Sequence, residues 1–84
     1  MPNPTRGTTR IEWTVPREGP ATVDVFNLSG ARVRTLHAGV VRAGTHSVTW
    51  DGRREDGHLA QAGVYYVKLH WQDRTVTRNL LLIH

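Results

Sequence analysis

Apolar residues recur at every second position along most of this chain, and each interruption falls at Gly, Pro, Asn or Asp. That period matches an extended strand with one buried face, whereas an amphipathic helix needs a repeat near 3.6. In Arg10-Ile11-Glu12-Trp13-Thr14-Val15 the apolar set is Ile11, Trp13 and Val15, and Pro16 ends the run. Ala21, Val23 and Val25 alternate with Thr22 and Asp24, and Asn27-Leu28-Ser29-Gly30 then reads as a turn in which Gly30 takes a positive φ. The return strand is predicted from Arg32 to Leu36, with a short edge strand around Val40-Val41. Gly44 opens a further alternation of His46, Val48 and Trp50. Residues 51–58 are polar and carry two Asp/Gly signals, which predicts an exposed, flexible loop, with Leu59-Ala60 as a brief strand after it. Tyr65, Val67, Leu69 and Trp71 share one face of the next strand. Gln72-Asp73 turns the chain, and Arg74 to Ile83 follows with Val76, Leu80 and Leu82 on one face and Leu81 and Ile83 on the other.

About seven short strands, with turn signals about every ten residues, predict an all-β fold. The expected architecture is an immunoglobulin-like (fibronectin III-like) antiparallel β-sandwich over residues 2–84, as a single domain. At 84 residues there is room for one thin core, and with no cysteine it must hold by packing alone. The expected core is Ile11, Trp13, Val23, Val25, Val48, Trp50, Tyr65, Val67, Leu69, Leu80 and Leu82.

The net charge of +4 is spread along the chain, and the longest basic run, Arg53-Arg54, is too short for a nucleic-acid footprint. No stretch is long and apolar enough to insert in a membrane, and the N-terminal residues lack a secretion signal. No partner is therefore expected among nucleic acids, and none in the bilayer.

The run Thr9-x-Ile11-x-Trp13-x-Val15-Pro16 is followed by Val23-x-Val25-Phe26-Asn27-Leu28-x-Gly30. The second half carries Ala43-Gly44-x-His46-x-Val48-x-Trp50-Asp51-Gly52, Ala62-Gly63-Val64-Tyr65-Tyr66 and a terminal Arg78-x-Leu80-Leu81-Leu82. Together these resemble the C-terminal sorting domains of type IX secretion cargo, and equally the immunoglobulin-like domain of the flagellar hook-capping FlgD family. The resemblance implies an extracellular or cell-surface module at the C-terminus of a larger exported protein, with a cargo domain fused before it. Its partners would be an export machine or neighbouring protein subunits. On this reading the expected function is sorting or anchoring, with Arg78, Leu80, Leu81 and Leu82 as the recognition residues. The alternatives are a structural assembly module acting through strand edges, as in a hook cap or surface filament, and a carbohydrate-binding accessory.

No residue set supports catalysis. Ser29 and Ser47 lack a nucleophile motif and no cysteine is present. No cofactor is expected. His37, His46, His58, His70 and His84 lack the short ligand spacings of a zinc site, and His46 reads instead as a core-edge histidine with a satisfied ring nitrogen. Asp51, Glu55 and Asp56 are the calcium candidates, although their order does not match an EF-hand, and Asx-turns before Gly52 and Gly57 explain the two aspartates as well. Trp13, Trp50 and Trp71 are candidates for a stacking platform, yet all fall on inward parity, which favours core packing, with Trp71, near a strand end, the least sheltered of the three. Tyr65 or Tyr66 is placed for a tyrosine corner near Gly63. Lys68, the sole lysine, faces outward and could meet Asn79 on the next strand only against that parity.

Overall fold

The computed structural model describes the strand Asn3–Arg6 and residues 8–83. His84, one of the five histidines, lies outside the described residues. The strands are β1 (Asn3–Arg6), β2 (Thr9–Val15), β3 (Gly19–Phe26), β4 (Arg32–Val41), β5 (Gly44–Trp50), β6 (Gly63–Trp71) and β7 (Arg74–Ile83). They form an all-β fold of two sheets, one in the order β1-β7-β6-β3-β4 and the other made of β2 and β5 alone.

The alternation in the sequence becomes the burial pattern. In β3 the residues Ala21, Val23 and Val25 are buried while those between them are more exposed, and β2 hides Trp13 and Val15 against exposed Glu12 and Thr14. The buried set joins both sheets, with Trp13, Val15 and Trp50 from the small one meeting Val23, Val25, Tyr65, Val67, Leu80 and Leu82 from the large one. Ile11, Val48 and Leu69, expected as core, are half-buried at its margin. Trp50 is 0% exposed and meets the Tyr65 ring edge-on at 5.2 Å.

Four local expectations change. β1 was not read from the sequence, because Pro4 removes a backbone donor, and it survives as a strand only at the sheet edge, where that donor is not needed. It also pairs parallel with β7, so the architecture is not wholly antiparallel. β4 runs unbroken from Arg32 to Val41, with register shifts opposite Val23/Asp24 and Val25/Phe26. These shifts blur its alternation, which is why it read as two fragments. Leu59 forms only an isolated bridge with Arg53.

Trp71 is buried at 6% exposure, as its inward parity predicts, although it stands at a strand end. The cause is Gly19 on the neighbouring strand, where an added Cβ would lie 3.2 Å from the Trp71 Nε1 and would collide with the Gln72 amide. The absent side chain lets the indole approach the start of β3 closely. Val76 shares its parity with Leu80 and Leu82 but is 47% exposed, because the two-stranded sheet does not extend over this end of β7.

Candidate assembly surface

Trp50-Asp51-Gly52 closes β5 and starts a loop that proves to be well ordered by hydrogen bonds, not the flexible segment its composition suggested. The Trp50 Nε1–H donates to the Arg53 carbonyl at 3.0 Å, and the Ala60 N–H donates to the Gly52 carbonyl at 2.9 Å. Arg54 and His58, Gly57 and Arg54, and Glu55 and Val33 are joined by further backbone bonds, the last tying the loop to β4. Gly52 takes a φ of 77° in a buried position, a conformation that a side chain would strain.

The three carboxylates of the loop are occupied by the protein. Asp51 Oδ1 accepts the Arg53 N–H at 3.0 Å and the Arg34 guanidinium at 3.1 Å, while Glu55 meets the Arg34 Nε at 3.4 Å. Asp56 Oδ1 accepts the His58 N–H at 3.0 Å, and that bond holds its carboxyl below the ordinary value of 3.8. Both aspartates thus form Asx-turns, and among the described residues no three His, Asp or Glu side chains converge as a metal site would require. Replacing Asp51 by Ala should lower stability by about 1–2 kcal/mol, most of it from the lost Arg53 bond since the Arg34 pair is half-exposed. Urea denaturation with calcium or with a chelator should give the same loss.

Tyr65 forms the tyrosine corner. Its hydroxyl donates to the Gln61 carbonyl at 2.6 Å, and burial pushes its pKa above the ordinary 10.0. A raised folded-state value means that Tyr65 stabilises the fold fully below pH 10.0 and that this contribution is lost as pH climbs through the folded value. Tyr65→Phe should therefore cost about 1 kcal/mol at pH 7 and flatten the alkaline fall in stability, measured as urea midpoints between pH 7 and 11.

Other candidates resolve into packing. Trp13, Trp50 and Trp71 are all buried, so no aromatic platform faces solvent among them. His46 contacts the Trp13 ring at 5.6 Å, and its Nε2 is 2.5 Å from the Arg42 carbonyl oxygen, the core-edge arrangement expected of it. Lys68 lies outward, its Nζ 5.1 Å from the Phe26 ring centre, and its register partner is Thr77 rather than Asn79. In the terminal run Leu80 and Leu82 point into the core, Leu81 is half-buried on the opposite face and Arg78 is exposed.

No helix among the described residues is long and apolar enough to cross a membrane. What the surface does present is strand edges. β2 pairs only with β5, and β4 lies at the far edge of the large sheet. Sequence reasoning anticipated an edge around Val40-Val41, the end of β4, but not the edge at β2, because sheet order is absent from the alternation.

These features define a class: a two-sheet module in which the motif residues shape turns and core rather than a reaction centre. The chain belongs to the FlgD Ig-like domain family, whose model matches residues 2–74. The basal-body rod modification protein FlgD of Escherichia coli is 44% identical over 48 residues, which span 57% of this chain and 21% of that protein. The FlgD of Salmonella typhimurium is 40% identical over a stretch of the same length and coverage. The chain thus spans about a fifth of the length of the curated relatives it matches. Among solved structures, FlgD from Pseudomonas aeruginosa superposes with a TM-score of 0.69 at 24% identity, covering 88% of this chain and 58% of the other. FlgD from Xanthomonas campestris, whose structure is described in terms of hook capping essential for flagellar assembly, gives 0.68 at 22% identity, covering 89% and 55%.

These matches overturn the type IX sorting and anchoring reading, since family and relatives alike are FlgD. Arg78, Leu80, Leu81 and Leu82, the recognition residues that reading implied, lie beyond the matched residues 2–74.

Proposed function

We propose that this chain is a non-catalytic structural assembly module of the FlgD kind, an immunoglobulin-like sandwich that holds neighbouring subunits of an extracytoplasmic appendage together. The family match over residues 2–74 carries this reading. The structure supports it because each motif residue serves the scaffold: Trp50 the core, Asp51 and Gly52 the turn, Tyr65 the corner. The surface left over is strand edge, the part of a β protein that readily joins another chain. The module is one domain of a longer protein on this reading, and its partners are protein subunits.

The test is genetic. The segment encoding residues 8–83 is deleted in frame in the organism that carries it, or replaced by an unrelated β-sandwich of similar size, and cell envelopes are viewed by electron microscopy. Loss of completed flagellar hooks in both strains, with the truncated protein still exported, is the expected result. Hooks of normal number and length in either strain would overturn the proposal.

A further inference from the structure

The small sheet has two strands against the five of the large one and leaves the Arg74 end of β7 uncovered, and the space there is a groove rather than a flat edge. A cleft of about 160 Å³ is lined by Ile11, Glu12 and Thr14 of β2, by Leu69, and by Val76 and Arg78 of β7. A second, of about 90 Å³, continues it past Thr14, Leu69 and Val76 to Arg74. Consecutive residues of β2, inward and outward alike, line the groove, so it is the strand's edge that borders it. This is the edge away from β5, and between Arg10 and Val15 it has no strand neighbour among the described residues. β1 covers only Leu80 to Ile83, so β7 itself is the rim of the large sheet beside Arg74, Val76 and Arg78.

Charge identifies the chemistry of the occupant. Arg74 and Arg78 share the inner face of β7 with exposed Val76 between them, and neither makes an ion pair among the described residues. Glu12, the one carboxylate on the groove, is held by Arg10 at 3.3 Å. The free charge at the rim is therefore positive. A strand paired to this edge would lie about 4.8 Å from β2, above the Arg74 end of β7. A second copy of the chain would bring a whole sandwich, and a further net charge of +4, against the same basic rim.

We infer that the free edge of β2 accepts one extended acidic segment of a neighbouring subunit as the third strand of the small sheet. Its backbone completes the ladder along Arg10–Val15. On its inward face an apolar side chain covers Val76 and Leu69, and carboxylates two residues to either side meet Arg74 and Arg78, which are about 13 Å apart along the strand. The segment thus carries the pattern acidic-x-apolar-x-acidic. The inference rests on the assembly reading for the source of that segment, while the groove and its chemistry stand without it.

The probe is the capped peptide Thr-Glu-Thr-Val-Thr-Glu-Thr, titrated into the isotopically labelled chain and followed by NMR. Expected are shifts concentrated at Ile11 to Thr14 and Val76, with affinity at least tenfold above that of the peptide bearing Lys for Glu. Methylating alternate backbone nitrogens of the peptide should abolish binding, and Arg74→Glu with Arg78→Glu should reverse the preference between the two peptides. Both positions are exposed, so that double variant keeps its core. Absence of shifts at β2 up to millimolar peptide, equal binding of the Glu and Lys peptides, or peptide-induced dimerisation through β2 would overturn the inference. A peptide that binds while hook formation survives deletion would instead count against the flagellar reading alone.

Discussion

Replacing Trp50 by Ala should remove most of the folding stability of the domain. Trp50 has no exposed surface, contacts Tyr65 across the sheets and donates its indole N–H to the Arg53 carbonyl. Truncating a fully buried aromatic costs about 3–5 kcal/mol, from lost apolar contact and from the cavity left behind. Small domains have total stabilities toward the low end of roughly 5–15 kcal/mol, so most of the margin is removed. Trp50→Phe separates the two contributions, because it keeps much of the apolar contact and loses the donor to Arg53. It should cost about 1–3 kcal/mol and loosen the 51–60 loop. Urea denaturation followed by far-ultraviolet circular dichroism reads both, and a Trp50→Ala loss under about 1 kcal/mol would contradict this description of the core.

The second large effect separates structure from recognition in the terminal strand. Leu82 is 1% exposed and Leu80 is 5%, both directed into the shared core, whereas Leu81 is half-buried on the other face. Leu82→Ala should cost about 2–5 kcal/mol. Leu81→Ala should cost roughly 1 kcal/mol or less, since Leu81 lies outside the shared core and stays partly exposed. Thermal melts of the two variants would show the alternation directly. If Leu81→Ala proved the more damaging, the assignment of faces along β7 would be wrong.

The same alternation explains what the sequence disclosed. Side-chain parity is local, so the strands from Ile11 to Val15, Ala21 to Val25 and Tyr65 to Trp71 could be read with their buried faces. Sheet membership depends on long-range pairing, which leaves no mark on parity. Val76 has the right parity for the core and is half-exposed because only two strands cover the large sheet. Trp71 is hidden by the close approach of Gly19, fifty-two residues earlier, which no local window contains. The order within residues 51–60 comes from backbone bonds to Val33 and Gly52, and composition is silent about backbone partners.

The site was legible to a similar depth. The Asx-turns at Asp51 and Asp56, the Tyr65 corner and the contact at His46 follow from side-chain chemistry at short range. The choice between two families did not. Trp50, Asp51, Gly52 and Tyr65, which carried the resemblance, are residues that make this fold, and any family built on the fold has use for them. Such residues identify the scaffold more sharply than its employment. Val76 reads as core-facing and Arg78 as a recognition residue, but their grouping with Arg74 does not emerge from the sequence, because an alternating basic strand looks like ordinary solvated surface until the uncovered end of β7 is seen.

The claim that this module joins subunits through its open edge is tested most directly in the growing cell. A benzophenone amino acid is placed at Val76, which is exposed on the groove face and outside the tightly buried core. Brief irradiation followed by mass spectrometry then identifies what lies within reach. The account predicts one dominant adduct, to an acidic segment of another structural subunit of the same appendage. Irradiated protein that stays uncoupled in assembled appendages, or that couples only to components of an envelope export machine, would contradict it.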